Sequence, residues 1–126
     1  MLKALLVGFG GFVGSVGRYW LSGLVQDRLP ESFPWGTLAV NVCGCFAIGV
    51  LSELAETRSL LTPDTRALLM VGVIGGFTTF SAFGNETMNL IRDRDATLAV
   101  ANVAAHLVLG LAAVWLGRAT TDMVWR

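Results

Sequence analysis

The residues able to do chemistry are few and sit where plain apolar helix is expected. Asn41 lies inside "GTLAVNVCGCF". "GGFTTFSAFGNE", Gly75 to Glu86, sets threonines, a serine, an asparagine and a glutamate between the apolar runs "ALLMVGVI" and "TMNLI". The Asn41 amide offers N–H donors and an oxygen acceptor. It reads as a staple between helices or as a donor of N–H groups to an anion. Gly75-Gly76, followed by β-branched Thr78 and Thr79, weakens a helix interior and marks a break there. The alternatives are a glycine kink, or backbone carbonyls freed into a cavity. Inward carbonyls suit a small hard cation, above all where two subunits cross at that point.

After the break, at about 100° per residue, Thr79, Ala82, Phe83 and Glu86 share one arc, Phe80 lies beside it, and Ser81 points elsewhere. Phenylalanine ring edges carry partial positive charge. Phe80 and Phe83 either pack between helices or turn edges toward an anion in a dry constriction. Glu86 reads as a proton-coupling group, a cation site, or the mouth of a pore near Arg92. Arg18, beside Tyr19 and Trp20, is an interfacial anchor or part of a cationic vestibule. His106, with Asn102 and Gly110 one turn to either side, forms a second polar-small stripe, without an H-x-x-x-H or a paired acid. Cys43 and Cys45 read as two small buried thiols: a C-x-C pair needs further metal ligands, and the sole histidine is on another segment.

The elements that must hold these residues are set by composition. The 126 residues suggest one domain, 1–126, and are 54% hydrophobic and 14% charged. A soluble domain carries about 25% charged residues, and the mean hydropathy here is +0.65. A bilayer is the simplest alternative solvent. Four apolar segments approach the roughly 20 residues that a spanning helix needs: about Leu2–Leu24, Gly36–Leu54, Arg66–Ile91 and Thr97–Leu116. Pro30, Pro34 and Pro63 fall in the charged connectors, where they stop helices. Thr62 before Pro63 and Asp64 reads as a helix start. The first segment shows no convincing small-residue cleavage site and reads as a retained helix. The expected fold is an all-α membrane protein with four transmembrane helices, the third broken near Gly75–Thr79.

Four spans put both termini and the middle connector on one side. That side carries Lys3, Arg58, Arg66, Arg118 and Arg126; the other carries Arg18, Arg28, Arg92 and Arg94. A Lys/Arg excess on the cytoplasmic side sets orientation, and an excess of one is almost no instruction. The reading is insertion both ways up, with opposite orientations meeting as an antiparallel pair. Gly10 and Gly14 in the first segment, and Gly72 and Gly76 in the third, offer small-residue surfaces for association.

Taken together, "GGFVGSVGRYW", "GTLAVNVCGCFAIG" and "GGFTTFSAFGNE" resemble the signatures of the small dual-topology fluoride channels, the Fluc or CrcB family, and the resemblance covers nearly the whole chain. It implies a passive fluoride channel in the bacterial inner membrane, an antiparallel homodimer with two fluoride pores. It implies that Asn41 helps to coordinate fluoride and that Phe80 and Phe83 supply ring edges. A central structural sodium would be held by the Gly75 and Thr78 carbonyls of both subunits. Thr79, Ser81 and Glu86 would belong to the polar route, with His106 near it and Arg18 at a basic position of open role. One departure stands out: "TTFSA" replaces the family's usual TTFST, so Ala82 lacks a hydroxyl on that route.

The competing function is a proton-coupled small multidrug transporter, also short and four-spanning. It needs an acid in its first helix, and this one has Lys3 and Arg18 but no acid. An assembly subunit without transport would explain the glycines but not Asn41, the break and the phenylalanine pair together. An enzyme is excluded on the absence of a Ser-His-Asp set, a phosphate loop or a metal cluster, and no feature calls for nucleic acid.

Overall fold

The computed structural model describes residues 1–125; Arg126, counted above among the basic residues of one side, lies outside them. Among the described residues, four helices are long and apolar enough to cross a membrane. Helix α1 spans Leu2–Gln26 and α2 spans Trp35–Ser52, continued by one wide π-type turn over Glu53–Thr57. The third span is in two pieces. Its first half, α3, covers residues 63–77: an α-turn Pro63–Arg66, π-type turns over Ala67–Ile74 and a last turn Gly75–Phe77. Its second half, α4, is Phe80–Arg92. The last helix, α5, runs Ala96–Val124. Large apolar side chains such as Leu5, Phe9, Phe12, Val108 and Leu111 face outward, as a lipid solvent requires.

Short-range signals start these helices. Thr62 caps α3, its hydroxyl accepting from Thr65 N–H at 3.2 Å with Pro63 in the first turn. Asp95 Oδ1 caps α5 by accepting from Leu98 N–H at 3.1 Å. The α1–α2 connector is tied by one side chain. Gln26 Nε2 donates to the Phe33 carbonyl at 3.2 Å, while Gln26 Oε1 accepts from Gly36 N–H at 3.1 Å. That satisfies an N–H at the start of α2 which Pro34, at its cap, has no side-chain donor or acceptor to serve.

The break lies two residues beyond the glycines expected to make it. Gly75 is helical (φ −61°, ψ −38°), and the chain leaves helix geometry at Thr78 (ψ 157°) and Thr79 (φ −148°, ψ 111°). Gly76 serves packing instead: a Cβ there would stand 2.5 Å from the Gly11 carbonyl oxygen. Likewise a Cβ on Gly10 would meet Leu68 O at 2.4 Å, and one on Gly14 would meet Val73 O at 2.1 Å. The small-residue surfaces read as sites of association between subunits are therefore filled within the chain, where α1 lies against α3 at backbone distance. A second seam joins α2 to α5, with Gly49 against Val114 and Gly117 against Phe46.

Helix α5 outruns its expected end at Leu116. Its 29 residues make about 43 Å, against a hydrocarbon thickness of about 30 Å. The excess carries ion pairs back to the end of α2: Arg58 to Asp122 at 2.7 Å and Arg118 to Glu56 at 3.1 Å. Arg66 closes the same end by donating to the Ala55 carbonyl.

Candidate functional site

Asn41 and the break are one structure. Thr79 N–H donates to Asn41 Oδ1 at 2.8 Å, and Asn41 Nδ2 donates to the Thr79 carbonyl at 3.1 Å. One side-chain amide thus completes both backbone groups of the residue at the interruption, much as a neighbouring strand would. The N–H of Thr79 fixes which end of the amide is oxygen. Thr79 Oγ1 caps α4, accepting from Ala82 N–H at 3.2 Å, and lies 3.3 Å from Ser81 Oγ. Thr78 returns its hydroxyl to the Ile74 carbonyl at 3.0 Å.

The second N–H of Asn41 is also engaged. Asn41 Nδ2 lies 3.1 Å from His106 Nε2, and His106 Nδ1 lies 3.0 Å from the Asn102 carbonyl. A carbonyl only accepts, so the ring proton is on Nδ1 and Nε2 accepts from Asn41. The imidazole stands 4.4 Å from the Phe83 ring, centroid to centroid, and Phe83 stands 5.5 Å from Phe80. Asn102, fully buried, donates to Thr87 Oγ1 at 2.9 Å, and Thr87 donates to the Phe83 carbonyl at 2.7 Å. Hydrogen bonds therefore run from α2 through α5 to the backbone beneath Phe83.

These residues line a largely apolar groove of about 480 Å³ with Asn41, Gly75, Thr78, Thr79, Phe80, Phe83 and His106 in its wall. Phe80, in the wall of this groove, is 83% exposed in the single chain. A second groove, about 550 Å³, has Arg18, Thr37, Thr79, Ala82 and Glu86 in its wall. Thr79 is common to both. Thr37 donates to Glu86 Oε1 at 2.7 Å, while Glu86 Oε2 is buried without a hydrogen-bond partner among the described residues.

The structure thus brings Asn41, Thr79, Phe80, Phe83 and His106 together and places Arg18, Ala82 and Glu86 behind them. Ser81 is exposed and touches the arrangement through Thr79 alone. Of the two thiols expected to be buried, Cys43 is exposed on the single chain and Cys45 is half-buried. Thr37 was not legible as a partner of Glu86, although it lies one turn before Asn41 on the same helix, and that spacing is the signal that could have found it.

The donor set also suits a hard cation. In an unbroken helix the Gly75 carbonyl would accept from Thr79 N–H, but that N–H is bonded to Asn41. Thr78 has left helix geometry. Both residues line the first groove. Among the described residues no cluster of histidine, cysteine, aspartate or glutamate offers a rival metal site.

Four apolar spans, an interrupted third one and a polar junction at the interruption define a multi-pass membrane protein. The family described as CrcB-like protein, Camphor Resistance (CrcB), matches residues 5–118, and the chain belongs to it. A relative from Opitutus terrae, named "Fluoride-specific ion channel FluC", is 53% identical over 115 residues, 90% of this chain and 87% of its own. Relatives of the same name from Methylobacillus flagellatus and Sorangium cellulosum are 46% and 48% identical, each over 87% or more of both chains.

Proposed function

We propose that this chain is a fluoride-selective channel that lets fluoride leave the cell passively across the bacterial inner membrane. The observation that carries this is the 53% identity, over 90% of this chain, to a protein named as a fluoride-specific ion channel. Fluoride is small and strongly hydrated, so a path must replace its water with donors. Asn41, the hydroxyls of Thr79 and Ser81, and the ring edges of Phe80 and Phe83 supply them, with Arg18 drawing anions toward the groove that holds Ala82 and Glu86. Bound fluoride draws on an Asn41 N–H that is otherwise engaged, so binding exchanges one hydrogen bond for another. No observation favours the proton-coupled multidrug transporter, since α1 holds no acid.

The working unit is an antiparallel homodimer with two pores, formed by chains inserted both ways up. The near-even basic count supports this, and so does the ring of Phe80, left open to a partner. A sodium ion at the dimer centre, held by the Gly75 and Thr78 carbonyls of each copy, would supply fixed positive charge and order the crossing. Two carbonyls from each of two copies would set four oxygens around one ion, which suits a site shared between copies.

Initial efflux from liposomes, followed separately for fluoride and chloride, tests the channel: rapid fluoride loss with chloride retained is expected. Equal rates for both ions would defeat it. A C-terminal reporter visible from one side of the membrane alone would defeat dual insertion. Flux unchanged after complete replacement of sodium by a large organic cation would defeat the sodium site.

A further inference from the structure

We propose that His106 is the positioning residue that keeps the second N–H of Asn41 occupied, and that protonating the ring turns this contact into a two-donor anion site. The inference rests on the reading of this junction as part of a fluoride path.

Its basis is the order of donors and acceptors. Asn41 Oδ1 takes Thr79 N–H, one amide hydrogen goes to the Thr79 carbonyl, and the other goes to His106 Nε2. The amide cannot flip, because its nitrogen would then face the N–H of Thr79. The ring cannot exchange tautomers in place, because Nδ1 faces the Asn102 carbonyl at 3.0 Å. With Nε2 as a lone pair, the junction is closed on itself and has no donor to spare. A proton on Nε2 sets two donors against each other across 3.1 Å. They repel unless they part and an acceptor enters between them. Fluoride is such an acceptor, and the Phe83 ring stands 4.4 Å from the imidazole.

Imidazole is the side chain that titrates between about pH 5 and 8. The other titratable side chain lining this groove, among the described residues, is Cys45 on α2. The α3 and α4 residues in the groove wall carry none. Beyond Thr79, the second groove presents Arg18 and Tyr19 from α1, Asp27 just after it, and Glu86 from α4. The consequence is a path that opens as protons accumulate.

His106 is the sole histidine of the chain, so 15N-histidine labelling of the whole protein in micelles or nanodiscs gives one imidazole to follow. At pH 8 without fluoride, the Nδ1–H tautomer is expected. Adding sodium fluoride should shift the ring toward the doubly protonated form at a given pH, and sodium chloride should not. In liposomes, with the leak of HF through protein-free vesicles subtracted at each pH, fluoride efflux should rise about tenfold from pH 8 to pH 5.5, the gain of a charged over a neutral hydrogen bond. His106→Gln keeps an acceptor for Asn41 but cannot titrate, and its efflux should be flat with pH. An Nε2–H tautomer at pH 8, or a wild-type efflux that is present but flat with pH, overturns this inference and leaves the channel standing. The wild-type pH profile persisting in His106→Gln overturns it too. Fluoride efflux absent at every pH overturns the channel reading and this inference with it.

Discussion

Replacing Asn41 by alanine should loosen the break before it affects anything else. The substitution removes the partner of Thr79 N–H at 2.8 Å and of the Thr79 carbonyl at 3.1 Å. Each buried backbone group left without a partner costs about 1–3 kcal/mol. Two of them make about 2–6 kcal/mol, so the equilibrium for local opening shifts by at least roughly thirtyfold. The loss is local, because the glycine seams that join α1 to α3 and α2 to α5 do not involve Asn41. Amide hydrogen exchange in detergent reads it directly. Exchange at Thr79 should accelerate by thirtyfold or more, while residues of α5 near Gly117 stay protected. Asn41→Asp retains an acceptor for Thr79 N–H but sets a carboxylate oxygen against the Thr79 carbonyl, so it should preserve only part of that protection and should still lose fluoride efflux for want of the amide donors. If Thr79 in the alanine variant exchanges within about threefold of the wild-type rate, the amide does not hold the break, and the reasoning fails.

Gly14→Ala forces a Cβ to within 2.1 Å of Val73 O and 2.8 Å of Phe77 N, and should cost about 1–3 kcal/mol of stability, seen as a lower melting point by size-exclusion assay. Gly8→Ala, with nothing within 4 Å, is the matched control and should melt as the wild type does. Phe80→Ile keeps bulk and apolarity but removes the ring edge, so fluoride efflux should fall greatly while the protein stays folded; wild-type efflux would mean that the ring only packs. Ala82→Thr adds a hydroxyl to the groove wall shared with Thr37 and Glu86. One neutral hydrogen bond, about 0.5–1.5 kcal/mol, should raise initial efflux by roughly two- to twelvefold with chloride still excluded, and a slower rate would refute a conducting role for that face.

The spans were legible because apolar runs of spanning length alternate with charged, proline-bearing connectors, and the structure places them within a few residues of expectation, except at the end of α5. There the apolar run stops at Leu116, just before Gly117 and Arg118. Long-range ion pairs to Glu56 and Arg58 carry the helix to Val124 instead, and a local reading cannot see such partners. The break was legible as an event within Gly75–Thr79, but not the residues of that stretch that make it. Gly75-Gly76 looked like flexibility, whereas Gly76 is small because Gly11 lies against it. The backbone turns where Asn41, far away in sequence, offers both a donor and an acceptor. Asn41 was legible as an anomaly with two readings. Its hydrogen bonds to Thr79 and His106 span three helices, and periodicity within any one of them carries no record of that meeting.

Thr79 stands in the wall of both grooves, so the partition between them is one residue thick at that point. Its backbone is committed, N–H and carbonyl both to Asn41, and its hydroxyl oxygen accepts from the first turn of α4. On the proposed fluoride path, a partition built this way would couple strength to permeability. Substitutions that tie Thr79 more firmly without touching the Asn41 donors should make the chain harder to melt and slower to pass fluoride, and those that free it should do the reverse. Variants selected for faster ion passage through this region should therefore be found among the less heat-resistant ones, and thermostabilised variants among the slower.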